Sequence, residues 1–460
     1  MVKRIAIIGG GFSGTALAAN LLRRAPKGAD LEILLINRFG PIGTGVAYGT
    51  KFDGHVLNVP AEQMSAYPDE PDHFLRWGAT RGVQPGDFVA RKLYGEYLGE
   101  TLRSAEASSA GATLEQRIDA VRSIRPEGSR ATLDLQSSGA VFADRVVLAL
   151  GNYSPENPRG IEGNFASSSR YVRDPWIPGS LETVEPNDTV FLIGTGLTMI
   201  DIALDLASRD PRPPITAISR RGLVPHPHVA LPPRPPVAAP ENLVSSGKAR
   251  EYVAVLRRHA REVSSQGRDW RDAVGSVRAL TPALWHALPT SEKERFLRHA
   301  RPYWDIHRHR VAPSTWNTFR SLVAEGRIRV RAGRLLKMND IGNAVSVEFR
   351  ARGAADTTLL NVRRVINCTG PSSDVRSIAD PLIEDLRKEG LIRADSLGLG
   401  LEVSEDLAVL DRNGLPSRML YLVGPLLKAR DWEATAVPEL RRHASTLAVQ
   451  LLRSLSLDLP

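Results

Sequence analysis

The sequence predicts an α/β protein with two Rossmann-like domains and a helical, Arg-rich insertion, and three observations support this prediction. A buried strand runs into a glycine-rich turn and a helix at Gly9–Gly14. The same arrangement returns about 185 residues later at Gly194–Met199. Between Arg212 and Arg334 there are 23 Lys and Arg residues but only 9 Asp and Glu residues. Because strands that alternate with helices form parallel sheets, we expect one such sheet around each glycine-rich turn.

The first unit has an expected strand at Ile5–Ile8, a helix at Phe12–Arg24 and a strand at Leu31–Ile36. A loop-rich stretch from Gly40 to Pro68 follows, and Arg91–Ser104 reads as a helix. The elements expected next are short strands around Leu114–Ile124, Ala131–Leu135 and Arg145–Leu150.

The second unit has an expected strand at Thr189–Ile193, a helix at Leu197–Ser208 and a strand at Ile215–Ser219. Seven prolines between Pro225 and Pro240 exclude a helix or a central strand there, and Glu241–His299 reads as mostly helical. The other expected elements are a helix capped by Ser314 and ending near Gly326, strands at Arg327–Arg331, Val345–Phe349, Val362–Cys368 and Met419–Val423, and a long amphipathic helix at Glu433–Leu455.

Composition excludes several classes of protein. Hydrophobic residues make up 42% and charged residues 24% of the 460 residues, as in ordinary soluble proteins. No apolar run approaches the roughly 20 residues that a membrane-spanning helix needs. Cys368 is the single cysteine, so a disulfide framework, a multi-cysteine zinc site and a redox-active cysteine pair are excluded. We expect a cytoplasmic protein without a membrane partner, and its oligomeric state stays open.

The first glycine-rich turn predicts a dinucleotide site. Gly9, Gly11 and Gly14 match G-x-G-x-x-G directly between a strand and a helix. Gly9 permits the tight turn, Gly11 lets the backbone approach a pyrophosphate, and Gly14 lets the helix pack on the strand. The helix N-terminus, with Phe12 and Ser13, offers unpaired N–H groups to the anion.

The end of the second strand departs from the usual pattern of such sites. It carries Asn37-Arg38 where an acid usually binds the ribose hydroxyls. Asn37 can bind a hydroxyl and Arg38 suits a 2′-phosphate, so this motif alone leaves both FAD and NADPH open.

The second turn predicts a nicotinamide dinucleotide site, with Met199 in place of the third glycine. The strand after it ends in two arginines, which can pair with the 2′-phosphate of NADPH or remain solvated strand-end charges. NADH is therefore not excluded. The residues expected to hold this cofactor are Gly194, Gly196, Leu197, Thr198, Arg220 and Arg221.

Two dinucleotide sites in one chain imply a flavin and a nicotinamide that face one another, with hydride passing to the flavin. Because the chain lacks a cysteine pair, disulfide reduction is excluded, and oxygen or another non-thiol acceptor remains. Cys368 ends an apolar strand, and we expect it to be a buried core residue.

Eight segments resemble the FAD/NAD(P)-binding flavoprotein monooxygenase family, which includes bacterial FAD-dependent urate hydroxylase and aspartate N-monooxygenase. They follow in order over nearly the whole chain. The segments are GVAYGT (45–50), HVLNVPAEQMSAYP (55–68), DHFLRW (72–77), LALGN (148–152), GTGLTMID (194–201), RPYWDIHRHR (301–310), NCTGP (367–371) and WEATAVPELR (432–441). The compact length is more similar to that of the urate hydroxylase.

The resemblance implies that FAD occupies the Gly9 site. It also implies that His55, Asn58 and Met64 lie along the flavin and that Gly424 and Thr435 close over it. Gly45, Gly151 and Gly370 complete the expected cofactor-binding residues. The expected domains are residues 1–160 and 367–460 for FAD and 185–366 for NAD(P)H, with the Pro-rich and helical insertion at 225–312.

The segment Arg301–Arg310 is the candidate reaction centre, with Arg301, Asp305, His307 and Arg310 as candidate catalytic residues. Arg301, Arg308 or Arg310 could bind an anionic substrate, and a solvated charged surface is the alternative. The His-x-His pattern has no companion ligands for a metal, and no nucleic-acid-binding module accompanies the basic residues. We therefore expect a small anionic substrate and oxygen as partners, with no metal and no nucleic acid.

The expected reaction is NAD(P)H-dependent hydroxylation of urate to 5-hydroxyisourate through a flavin hydroperoxide. Hydroxylation of the nitrogen of an amino acid such as aspartate is the first alternative. An NAD(P)H-dependent flavin oxidoreductase without oxygen transfer and a non-catalytic dinucleotide sensor are the others.

Overall fold

The computed structural model describes residues 2–128, 130–161, 163–211, 213–229, 235–241 and 243–457. The strands are β1 Lys3–Ile8, β2 Leu31–Asn37, β3 Ala112–Ile118, β4 Val121–Glu127, β5 Arg130–Leu135, β6 Gly139–Ala143, β7 Arg145–Leu148, β8 Tyr171–Val172, β9 Val190–Ile193, β10 Ile215–Ser219, β11 Ile328–Asp340, β12 Val345–Ala351, β13 Thr358–Val362, β14 Arg364–Asn367, β15 Ala408–Leu410 and β16 Pro416–Leu422. The α-helices are α1 Phe12–Arg24, α2 Gly45–Tyr48, α3 His73–Gly78, α4 Arg91–Ser108, α5 Leu197–Ala207, α6 Ala249–Ser265, α7 Trp270–Ser276, α8 Thr281–Ala287, α9 Thr290–Arg295, α10 Arg301–Arg308, α11 Pro313–Ala324, α12 Pro381–Glu389 and α13 Val437–Ser454.

The first sheet has the strand order β15-β16-β7-β1-β2-β3 and is built from both ends of the chain. β1 lies in its middle and pairs in parallel with β2 and β7, with Ile5 opposite Ile33 and Ile7 opposite Val147. The apolar residues of these strands are buried because α1, which contacts both α4 and α13, packs over the sheet. The predicted parallel sheet around the first glycine-rich turn is confirmed.

The second sheet has the order β13-β12-β11-β10-β9-β14-β8. β8, β14, β9 and β10 are parallel neighbours, which confirms the second α/β unit. β11 is longer than the predicted Arg327–Arg331, since its first half pairs in parallel with β10 and its second half forms an antiparallel sheet with β12. The predicted α/β class with two Rossmann-type units is therefore correct.

Further element predictions are also wrong in their bounds. Leu114–Ile124 is two strands, because the buried Asp119 carboxylate accepts N–H groups from Ser137 and Ser138 at 2.9–3.2 Å and turns the chain into the separate sheet β4-β5-β6. Ser314 is not an N-cap, since α11 starts at Pro313 after Ala312. The last helix begins at Val437 rather than Glu433.

The helical insertion packs on the C-terminal part of the chain. Trp285 and Trp432 form its buried contact, with ring centroids 4.9 Å apart. A π-helical turn, Phe296–Ala300, joins α9 to α10. The described residues of the predicted Pro-rich segment form no helix and a single isolated bridge to Val311, whereas residues 230–234 lie outside the described part. Across the described residues, no helix is both long and apolar enough to cross a membrane.

Candidate functional site

The first glycine-rich turn is sterically fixed at two of its three glycines. Gly9 has φ +118°, and a Cβ there would stand 2.1 Å from the Ala149 carbonyl oxygen. A Cβ on Gly14 would stand 1.9 Å from the Gly9 carbonyl oxygen, so α1 could not pack on β1. A Cβ on Gly11 would meet, of the described part of the chain, only the Gly45 Cα, at 3.7 Å. Gly9 and Gly14 are therefore needed by the fold itself, whereas the fold leaves space beside Gly11.

Several segments converge on the N-terminus of α1. Gly45 lies against Gly11, and a Cβ on Gly424 would meet the Ser13 Oγ at 3.4 Å. Gly11 is the N-cap residue, and among the described residues no side chain accepts a hydrogen bond from the first turn of α1. The N–H groups of that turn are thus available to an anion. This cradle of glycines around uncapped N–H groups fits a dinucleotide pyrophosphate.

The Asn37 side chain stabilises the same turn. Its Oδ1 accepts the Gly10 N–H at 3.1 Å, and its Nδ2 donates to the carbonyls of Phe39 and Gly40 at 2.8 and 3.0 Å. Both N–H groups of the Asn37 amide are therefore bonded within the loop, and Oδ1 keeps one lone pair with which it could accept a ribose hydroxyl. Arg38 forms an ion pair with the buried Asp380 at 2.5 Å.

The second glycine-rich turn repeats the geometry of the first. Gly194 has φ +111°, and a Cβ there would stand 2.4 Å from the Cys368 carbonyl oxygen, as Gly9 does from Ala149. Gly196 is the uncapped N-cap of α5, and a Cβ there would meet no atom of the described residues within 4 Å. Cys368 is buried as predicted, and burial raises the pKa of its thiol. Met199, which replaces the third glycine, is buried in the core of the second unit. This turn therefore also fits a pyrophosphate.

The two arginines after β10 are available to an anion. Arg220 is exposed, and Arg221 lies 5.2 Å from the centre of the Tyr303 ring. Within the described part of the chain, neither guanidinium has a carboxylate within 4.0 Å. Thr195 holds the neighbouring loop, because its hydroxyl donates to the Leu223 carbonyl at 2.5 Å.

The residues that the family resemblance places along the flavin are dispersed. His55 is buried between the two units, with its Nε2 3.3 Å from the Asp201 carbonyl oxygen, and burial lowers its pKa. Asn58 is half-buried, and Met64 lies in the first core. Thr435 is exposed. Gly151 and Gly370 occupy equivalent loops that follow β7 and β14.

The candidate catalytic residues fall into two groups. Arg301 and Asp305 form an ion pair one helical turn apart on α10, at 3.3 Å, and both are partly exposed. His307 donates from Nδ1 to the Tyr303 carbonyl at 2.7 Å and packs on His226. Arg310 points elsewhere, since its Nε is buried and lies beside Arg308 and Arg271.

Arg310 belongs to a cluster of four guanidinium groups that the sequence analysis found only in part. We call Arg271, Arg278, Arg308 and Arg310 the basic cluster. Arg278 forms a bidentate pair with Glu439 at 2.7 and 2.8 Å and also donates to Gln63 Oε1 at 3.1 Å.

The other members of the basic cluster have their own carboxylate partners. Arg271 pairs with Asp269 at 3.0 Å, and Arg308 pairs with the buried Glu433 at 3.2 Å. Glu433 also accepts the Trp304 indole N–H at 2.9 Å. No sequence motif reveals these pairs, because more than 100 residues separate Arg308 from Glu433 and Arg278 from Glu439.

The two units are joined by a second feature that the sequence analysis missed. Arg91 on α4 pairs with Asp201 on α5 at 2.6 Å, and both side chains are largely buried. His55 contacts the same residue of α5, so the ion pair and the histidine form one contact between the two sheets. Within the described ranges, no group of three His, Cys, Asp or Glu residues could hold a metal ion.

Comparison with known proteins places this geometry in one class of fold. A family model described as FAD-NAD(P)-binding matches residues 6–153. The comparison with curated proteins found no match. Among solved structures, reduced ornithine hydroxylase from Pseudomonas aeruginosa is 16% identical with a TM-score of 0.65, covering 99% of this chain and 100% of that one. The chain therefore has the fold of the flavoprotein monooxygenases with two dinucleotide-binding units.

Two further solved structures have the same TM-score. L-lysine 6-monooxygenase from Pseudomonas syringae is 17% identical with a TM-score of 0.65, covering 99% of this chain and 100% of that one. The FAD-bound cadaverine monooxygenase from Erwinia amylovora is 14% identical with a TM-score of 0.65, covering 99% of this chain and 95% of that one. At these identities the similarity establishes the fold.

Proposed function

We propose that the protein is an FAD-dependent, NAD(P)H-consuming monooxygenase that hydroxylates the nitrogen of a small amine. The observation that carries this proposal is the fold, which over 99% of the chain is similar to enzymes that hydroxylate ornithine, lysine and cadaverine. The two glycine-rich turns support it, since both have uncapped helix N-termini and space beside the middle glycine.

FAD would bind at the first turn and NAD(P)H at the second. Gly11, Gly45 and Ser13 would surround the FAD pyrophosphate, with Gly424 closing the site from the opposite side. Gly196 and the first turn of α5 would hold the nicotinamide dinucleotide. Residues 1–160 and 367–460 would then form the FAD domain and residues 185–366 the NAD(P)H domain. The strands of the first sheet support this division, whereas the second sheet also includes β8 from outside these ranges.

NADPH is the nicotinamide cofactor that the second site favours. Arg220 and Arg221 follow β10, where the adenosine ribose of a dinucleotide lies in such folds. Their lack of carboxylate partners within the described residues leaves both guanidinium groups able to bind the 2′-phosphate bidentately.

The reaction proposed consumes one NAD(P)H, one O₂ and one proton for each amine and yields the N-hydroxylated amine, NAD(P)⁺ and water. When bound, the flavin supplies oxygen activation and the nicotinamide supplies two electrons. The protein would bind the amine, orient it and keep water away from the reacting atoms. The buried contact of His55 and Arg91 with Asp201 would hold the two cofactor-binding units against each other during this cycle.

Urate hydroxylation, the main expectation from the sequence, is the weaker candidate. The enzymes of similar fold described above act on amines, and none of them is a purine hydroxylase. Disulfide reduction is disfavoured, since Cys368 is the single cysteine and is buried. A flavin oxidoreductase that transfers no oxygen is the remaining alternative.

The proposal is tested with purified, FAD-loaded protein in a single assay. NADPH oxidation, oxygen uptake and peroxide are followed with L-ornithine, L-lysine, L-aspartate, cadaverine and urate, and hydroxylamine products are measured by mass spectrometry. We expect one of the amines to stimulate NADPH oxidation, with one hydroxylamine formed per NADPH. If urate were the one compound that stimulates NADPH oxidation, the proposed N-hydroxylation would be wrong and urate hydroxylation would take its place. Formation of one hydrogen peroxide for each NADPH oxidised, with every compound tested, would identify an oxidase instead.

A further inference from the structure

We infer that Arg310 is the binding site for a carboxylate on the substrate, so that the amine substrate is an amino acid rather than a diamine. This inference rests on the proposed function. It starts from the position of Arg310, whose Nε is sealed from solvent and has no hydrogen-bond partner. Within the described ranges, the Arg310 guanidinium makes no hydrogen bond and no ion pair.

The charges around Arg310 do not balance. The other three members of the basic cluster each pair with a carboxylate, namely Asp269, Glu433 and Glu439. Four guanidinium groups therefore share three carboxylates, and the unpaired positive charge is that of Arg310. Arg310 is partly buried and its Nε is sealed from solvent, and a charge in such a place without a counter-charge is destabilising, so a bound anion would be stabilised there.

Among the described residues, the neighbouring His228 adds no negative charge beside Arg310. His228 Nε2 is 3.0 Å from the Asn58 carbonyl oxygen, which can only accept, so Nε2 carries the hydrogen. Burial and the nearby Arg310 lower the pKa of His228 to about 4, so the ring is neutral at pH 7. Burial, together with Arg308 and Arg271, lowers the pKa of Arg310 to about 10, which leaves it charged at pH 7.

The site adjoins the segment that the family resemblance places along the flavin. His228 reaches Asn58, and Arg278 reaches Gln63 on the same loop. A carboxylate on Arg310 would therefore be held beside this loop, with two parallel N–H bonds fixing its orientation. A diamine would bring a second ammonium group to the same four guanidinium groups and would be repelled.

An oxyanion could also come from a phosphate of the nicotinamide cofactor, and the experiment separates these sources. The FAD-loaded wild type and the variants Arg310→Met and Arg298→Met are compared, since Arg298 is an exposed arginine on the neighbouring π-helical turn. Dissociation constants are measured by isothermal titration calorimetry for L-lysine with cadaverine, L-ornithine with putrescine, L-aspartate with β-alanine, and NADP⁺. Each pair differs only by the α-carboxylate, and β-alanine alone among the three comparison amines keeps another carboxylate.

We expect at least one amino acid to bind the wild type and Arg298→Met alike and to bind Arg310→Met roughly tenfold or more weakly. For lysine or ornithine, the matching diamine should bind poorly to all three proteins. Arg310→Met should melt no lower than the wild type without ligand, because it removes an unpaired buried charge. If Arg310→Met weakened the binding of NADP⁺ alone, Arg310 would be assigned to a phosphate of the nicotinamide cofactor. If Arg310→Met left the dissociation constant of every compound unchanged, the proposed oxyanion site would be refuted.

These outcomes are distinct from a failure of the proposed function. Binding is measured without NADPH turnover, so an Arg310-dependent amino-acid site without hydroxylamine formation would leave the site standing and remove the monooxygenase reaction. Hydroxylamine formation that Arg310→Met leaves unchanged would keep the reaction and remove the site.

Discussion

Gly11→Ala should yield a folded protein that does not retain FAD. Within the described ranges, the atom closest to the new methyl group is the Gly45 Cα at 3.7 Å, and Gly11 already has φ −78°, which alanine adopts freely. The apoprotein should therefore be as stable as the wild type, or about 0.5 kcal/mol more stable because alanine restricts the unfolded chain.

The loss of FAD affinity follows from what the methyl group displaces. It occupies the space beside the uncapped N–H groups of α1, where the pyrophosphate would approach the backbone. Losing two charge-assisted hydrogen bonds of about 1.5 kcal/mol each weakens binding by about 3 kcal/mol, or roughly 150-fold.

The assay is the ratio of FAD to protein after desalting, read from the flavin absorbance, together with thermal unfolding of the apoprotein. Gly196→Ala is the matched control, since Gly196 has the same N-cap conformation in the second unit and equal space beside it. It should retain FAD and bind NADPH more weakly. A Gly11→Ala protein with the wild-type content of FAD would refute the assignment of the first turn.

Three further predictions concern the second site and the contact between units. Arg220→Ala with Arg221→Ala should raise the KM for NADPH at least tenfold more than that for NADH, measured by steady-state kinetics; equal effects would mean that these arginines do not bind the 2′-phosphate. Arg91→Met should lower the free energy of unfolding by about 3 kcal/mol in urea titrations, because the largely buried Asp201 loses its partner. The double variant Arg91→Met with Asp201→Asn should recover part of the lost stability, because it also removes the unpaired carboxylate. The folded pKa of His228 is near 4, so the unfolded chain binds a proton at this residue more readily than the folded protein does. The free energy of unfolding should therefore fall as the pH drops from 6.5 towards 4. A His228→Gln protein whose free energy of unfolding falls equally steeply over that range would contradict this.

Local sequence was sufficient wherever a backbone conformation or a short contact decides the structure. Gly9 and Gly194 are recognisable because no other residue tolerates their positive φ against a carbonyl about 2 Å from the missing Cβ. The alternation of strands and helices predicted both parallel sheets, because hydrophobic periodicity can be read from short segments of sequence. The burial of Cys368 likewise followed from the apolar strand that precedes it.

Bounds that depend on distant residues were not predictable. β3 and β4 separate at Asp119 because its carboxylate binds N–H groups almost 20 residues later. The final helix starts at Val437 because Glu433, which the apparent helical pattern includes, turns inward to Trp304 and Arg308. Both depend on contacts that no local pattern encodes.

The sequence by itself determined the two dinucleotide-binding units, the absence of a cysteine pair and the excess of positive charge in the insertion. Only the tertiary structure separated Arg310 from the other arginines, because a charge is distinguished by its partner rather than by its residue type. Arg301 has Asp305 one turn away on its own helix, and Arg308 has Glu433 from the far end of the chain. Burial without a carboxylate partner is a property of the folded chain, and within the basic cluster it distinguishes Arg310 from Arg271, Arg278 and Arg308.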